Sequence, residues 1–99
     1  MVARHVLEHL YDTVGFMDEA WRVLRPGGTL EVAVPHCDGE NAWKDPTHVK
    51  AFHPEAFTYF DPDLGMGRLF GRFYTDRVWR LVSVVTDGVE IVVLLEKRA

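Results

Sequence analysis

The corner Pro26-Gly27-Gly28 restricts the fold of this chain more than any other feature. Before it, Phe16, Met17, Ala20, Trp21 and Leu24 recur at the three- and four-residue steps of one helical face. After it, Thr29 to Val34 is a β-favouring run that Pro35 ends. Proline disfavours helix in the residue before it, and glycine accepts the positive φ of a tight reversal. The chain must therefore pass an amphipathic helix, spanning about Val14 to Leu24, into a strand that lies behind it. Asp12 and Thr13 offer capping oxygens at the helix start. Asp18 and Glu19 near its beginning, and Arg22 and Arg25 near its end, suit the helix dipole.

Downstream, Trp79–Val85 and Val89–Leu95 are two further β-favouring runs. Thr86-Asp87-Gly88 between them is a hairpin signal. Ile91-Val92-Val93-Leu94-Leu95 is apolar at every position, which predicts a central strand covered on both faces. Val6–Leu10 reads as a loop or a brief helical turn. The long stretch from His36 to about Asp76 is polar and aromatic, with a short helix expected at His53-Pro54-Glu55-Ala56-Phe57. At 99 residues the chain is one domain with a modest core, and 47% hydrophobic with 26% charged residues is an ordinary globular balance. A net charge of −4 gives no general attraction to nucleic acid or anionic membrane, and no apolar run reaches spanning length. The single cysteine, Cys37, forbids an internal disulfide and fits a reducing, cytoplasmic setting.

The segment Ala20-Trp21-Arg22-Val23-Leu24-Arg25-Pro26-Gly27-Gly28-Thr29-Leu30 resembles the R-V-L-R/K-P-G-G-x-L signature of class I S-adenosylmethionine-dependent methyltransferases. In that family it joins the helix after the fourth strand to the fifth strand. His5-Val6-Leu7-Glu8-His9-Leu10 resembles the H-V-L-E-H stretch just beyond the fourth strand. Asp45-Pro46-Thr47-His48 and Phe52–Phe60 look like a stretch found in one bacterial and phage-like branch. The resemblance implies an α/β class, a partial Rossmann-like methyltransferase fold. Its elements are one main helix and a three-stranded mixed sheet ending in an antiparallel hairpin, with residues 1–99 as a single truncated domain.

The same resemblance implies S-adenosylmethionine as cofactor, bound only if another chain completes the site. Ala3, Arg4 and His5 would lie beside it. His36, Cys37, Trp43, Asp45 and His48 would face the methyl acceptor, and no residue is assigned to catalysis. The family's Gly-rich loop and its ribose-binding acidic residue have no place here, because the chain opens at the edge of the fourth strand. The expectation is a methyltransferase-like protein inactive alone. The alternative is a non-catalytic binding or assembly module derived from such a domain. Thr29–Val34 should pair antiparallel with Val89–Leu95 and leave its other edge open. Such an edge invites a homo-oligomer or a partner that supplies the missing N-terminal half.

Other chemistry is weaker in the sequence. His5-Val6-Leu7-Glu8-His9 spells H-x-x-E-H, the pattern of a metal-dependent hydrolase, but it stands at the N-terminus with no evident third ligand. His36, Cys37, His48 and His53 match no closed zinc spacing, so no metal ligands are assigned. Cys37 beside His36 lacks any sign of a lowered thiol pKa or a positioned base. Gly65-Met66-Gly67-Arg68-Leu69-Phe70-Gly71 follows no strand pattern and reads as a flexible surface turn, not a nucleotide loop.

Overall fold

The computed structural model describes residues 1–98, and its chain reverses where the proline and glycines require it. Helix α1 spans Thr13–Val23, and the Asp12 carboxylate caps it by accepting from the Gly15 amide at 2.7 Å. Leu24 is already extended, and Gly27 takes a φ of 80°. The Gly28 amide closes the turn on the Arg25 carbonyl at 2.8 Å. A Cβ on Gly28 would stand 2.8 Å from that carbonyl oxygen, so the second glycine is needed for close approach. The chain then enters β2, Thr29–Pro35.

Four strands form one mixed sheet in the order β1-β2-β4-β3, with β1 Val2–Arg4, β3 Trp79–Thr86 and β4 Glu90–Lys97. As expected, β2 pairs antiparallel with β4, Val32 opposite Val93. The expected count of three strands is corrected to four. The edge of β2 expected to stay open is paired parallel with β1, Ala3 opposite Val32. Its ladder is closed by the Glu31 amide on the Met1 carbonyl (2.9 Å) and the His5 amide on the Ala33 carbonyl (2.8 Å). Three residues are too few to show a strand period, which is why the sequence alone reads them as an edge only.

β4 is central in order, but only one of its faces is covered. Ile91, Val93 and Leu95 are buried, while Val92 and Leu94 are half-exposed. The two-sided cover expected for this apolar run is therefore not found among the described residues. Met17 and Ala20 of α1 and Phe52, Phe57 and Phe60 all join the same core cluster as Ile91, Val93 and Leu95. The opposite face is open toward β3, with Val85, paired across from Val92, 64% exposed, while Ala33 of β2 on that face is buried. In β3 the register shifts between Leu81 and Ser83, a bulge at Val82. The β3–β4 turn is closed by Gly88 at φ 87° and by Asp87. The Asp87 carboxylate accepts from the Glu90 and Val89 amides, which hold it below the usual carboxylate range.

The segment between β2 and β3 folds as short turns: α2 at Asn41–Lys44, a 3-10 turn at Ala56–Phe60, and α3 at Gly65–Phe70. The glycine-rich run expected to be a flexible surface turn is thus helical. Gly67 is buried, and a Cβ there would strike the carbonyl oxygens of Asp61 and Thr58. Gly67 and Gly71 thus serve close packing of the chain on itself, while Gly65 meets no neighbour. No helix of the described residues is long and apolar enough to cross a membrane.

Candidate functional site

Parallel strands end on the same side, and the carboxyl ends of such strands are where open α/β sheets bind ligands. Here β1 and β2 end together at His5 and Pro35. His5 leaves β1 in the left-handed region, φ 57°, the only non-glycine residue with positive φ among the described residues. That turn swings the chain into a 3-10 turn at Leu7–His9 and brings Glu8 under the strand ends. The result is an open cleft of about 670 Å³ lined by His5, Glu8, His9, Pro35, Asn41, Lys44, Asp45, His48, Val89 and Glu90.

The far wall is docked by a short set of hydrogen bonds. The Val49 amide donates to the Glu8 carbonyl at 2.8 Å, joining the β2–β3 segment to the first turn. Thr47 donates through its amide and hydroxyl to Asp45 Oδ1, at 2.8 and 2.7 Å. The Thr47 hydroxyl, then its amide, holds the Asp45 carboxyl below the usual range. His9 Nδ1 lies 3.0 Å from Thr47 Oγ1 and 3.3 Å from the Thr47 carbonyl oxygen. His48 Nδ1 lies 3.3 Å from the Ala42 carbonyl oxygen. The His9 and His48 rings meet edge to face with centroids 4.7 Å apart.

Glu8 is the unusual member. It is 1% exposed, and neither carboxylate oxygen has a hydrogen-bond partner. His5 Nδ1 stands 3.4 Å from it without meeting hydrogen-bond geometry, and the ring's other nitrogen is 2.8 Å from Glu90. His48 Nε2 is 3.9 Å from Glu8 and 3.7 Å from Asp45. Ligand atoms of Glu8, His9 and His48 lie within 4.8 Å of one another, as do those of the adjacent residues His36, Cys37 and Asp38. In the second group His36 Nδ1 already accepts from the Asp38 amide at 3.0 Å.

The structure separates the residues singled out in the sequence. His5, Asp45 and His48 share the cleft. Ala3 is buried in the core, and Arg4 lies on the open sheet face, paired with Glu31 at 2.9 Å. His36 is buried beside the cleft but does not line it, and Cys37 is half-buried. Trp43 is 71% exposed, its indole N–H donating to the Cys37 carbonyl at 2.9 Å. Sequence reasoning missed Asn41, Lys44, Val89 and Glu90, which carry no motif. It noticed Glu8 and His9 only as part of H-x-x-E-H. Their burial and the approach of His48 depend on the fold.

A methyl donor of the expected kind needs a glycine loop and a ribose-binding carboxylate. Among the described residues no glycine-rich strand–loop–helix unit stands at the cleft; Gly65–Gly71 packs on Thr58–Asp61. The cleft therefore fits one side of S-adenosylmethionine at most. No curated protein and no solved structure matches the chain. A family model described as a methyltransferase domain matches residues 1–32, so the resemblance to class I S-adenosylmethionine-dependent methyltransferases holds over β1, α1 and the first half of β2.

Proposed function

We propose that this chain forms the acceptor side of an S-adenosylmethionine-dependent methyl-transfer site, and that it neither holds the cofactor nor transfers methyl by itself. The observation that supports this most directly is the cleft at the carboxyl ends of β1 and β2, directly behind the matched residues 1–32. In methyl transfer the protein's main task is to hold the acceptor in line with the sulfonium methyl. Asp45 and His48 on one wall are the groups that would orient an acceptor here, and His5 on the other would lie beside the cofactor. The cofactor supplies the methyl group when bound; the glycine-rich elements that would grip it come from outside residues 1–99. A partner of different sequence that carries these elements and meets the sheet at β1 is the proposed source.

Calorimetry tests the reading in two arms. S-adenosylmethionine added to the purified chain is expected to bind no tighter than millimolar. Fusing the glycine-rich half of a class I methyltransferase domain ahead of Met1 is expected to bring binding into the micromolar range, and His5→Ala to weaken it. Micromolar binding by the chain alone would overturn the dependence on a partner. No gain in the fusion favours the non-catalytic assembly module.

A further inference from the structure

We propose that Glu8, His9 and His48 form a binding site for a divalent first-row transition cation such as Zn²⁺, at the floor of the cleft. The first observation is convergence: Glu8 and His9 of the Leu7–His9 turn and His48 of the β2–β3 segment bring ligand atoms within 4.8 Å of one another. The second is the state of Glu8. Its side chain is 2% exposed, it faces the cleft, and both oxygens lack a hydrogen-bond donor. An ionised carboxylate out of water and without donors is costly, so buried charges are normally paired or bound to metal.

The third observation concerns which ring nitrogens remain available. A carbonyl oxygen only accepts, so His48 Nδ1, facing the Ala42 carbonyl, carries its proton. His9 Nδ1 faces the Thr47 carbonyl and is likewise the protonated nitrogen. The Thr47 hydroxyl gives its hydrogen to Asp45, which leaves its oxygen to accept from His9. In the neutral rings both Nε2 atoms then present lone pairs, and His48 Nε2 points toward the Glu8 and Asp45 carboxylates at 3.9 and 3.7 Å. Acceptors facing acceptors repel unless a proton or a metal cation stands between them, so this is a position where a cation is favoured. Metal-bound histidines characteristically donate their second nitrogen to a carbonyl or carboxylate, as both do here. Two imidazoles and one carboxylate suit zinc and its first-row neighbours, and three protein ligands leave a position open toward the cleft. Thr47 and Asp45 act as positioning residues for His9.

The sequence contains H-x-x-E-H, but the proposed triad is not that motif read alone. His5 turns to Glu90, and the third ligand, His48, arrives from the β2–β3 segment. The test needs no S-adenosylmethionine, so its outcome is separate from that of the methyl-transfer reading. Chelator-stripped chain titrated with Zn²⁺ is expected to bind about one ion per chain with a micromolar or tighter Kd. Glu8→Gln and His48→Gln should each weaken binding by more than about 100-fold, and Thr47→Val by about 10–100-fold. His53→Gln, outside the cleft, should leave it unchanged. Co²⁺ in place of Zn²⁺ should shift the His9 and His48 ring resonances, which decides the matter even if Glu8→Gln does not fold. Millimolar affinity, retained binding in Glu8→Gln and His48→Gln, or Co²⁺ shifts at His36 instead would each overturn the proposal.

Discussion

Two side-chain carboxylates are buried among the described residues, and the molecule treats them oppositely. Asp61, 3% exposed, accepts from the Leu81 amide at 2.9 Å, the Asp63 amide at 2.9 Å and the Arg98 guanidinium at 3.1 Å. It joins the β2–β3 segment to β3 and to the end of the chain, and its charge is answered on every side. Glu8, 1% exposed, accepts no hydrogen bond, and only the His5 and His48 rings approach it, at 3.4 and 3.9 Å. A buried carboxylate with three donors holds a fold together; one that accepts no hydrogen bond carries a desolvation cost that a proton or a bound cation can offset. The contrast marks Asp61 as architectural and is consistent with the cation site proposed at Glu8.

Replacing each residue should separate the two roles. Asp61→Ala is expected to have the largest effect, a loss of about 3 kcal/mol in urea unfolding, because it orphans the Leu81 amide and frees Arg98. A loss under about 1 kcal/mol would erase the contrast from the Asp61 side. Zn²⁺ at 100-fold over its Kd should raise the wild-type unfolding free energy by about 2.7 kcal/mol, and leave Glu8→Gln unmoved. An equal gain in both proteins would place the ion elsewhere. Without metal, Glu8→Gln should be neutral or more stable by about 1–2 kcal/mol, since a neutral amide removes the lone buried charge and can donate to His48. Marked destabilisation there would mean that Glu8 has a structural partner after all. Arg4→Ala, which breaks the exposed pair with Glu31, calibrates the scale. Its effect on the thermal midpoint should correspond to less than about 0.5 kcal/mol.

Most of the scaffold was legible in the sequence because its signals are local. The α1 face, the Asp12 cap, the Pro26-Gly27-Gly28 reversal and the Asp87-Gly88 hairpin each rest on neighbouring residues, and each appears where its chemistry puts it. Legibility failed where a signal was short or shared. Val2–Arg4 is too brief to show alternation, so β1 went unread and the edge of β2 looked open. Gly65–Gly71 carries the composition of a turn, yet Gly65–Phe70 is helical, with Gly67 buried against the carbonyls of Thr58 and Asp61. The site was half legible. Asp45 and His48 could be named, but Asn41, Lys44 and Glu90 occupy positions with no motif, and the burial of Glu8 follows from the left-handed turn at His5.

The sequence by itself determined the helix-to-strand corner, the closing hairpin and the resemblance carried by residues 1–32, because turn chemistry and periodicity act over a few residues. Tertiary structure alone decided that one face of β4 stays uncovered, and that His48 meets Glu8 forty positions away. Burial and convergence are properties of packing between distant segments, and no local pattern records them.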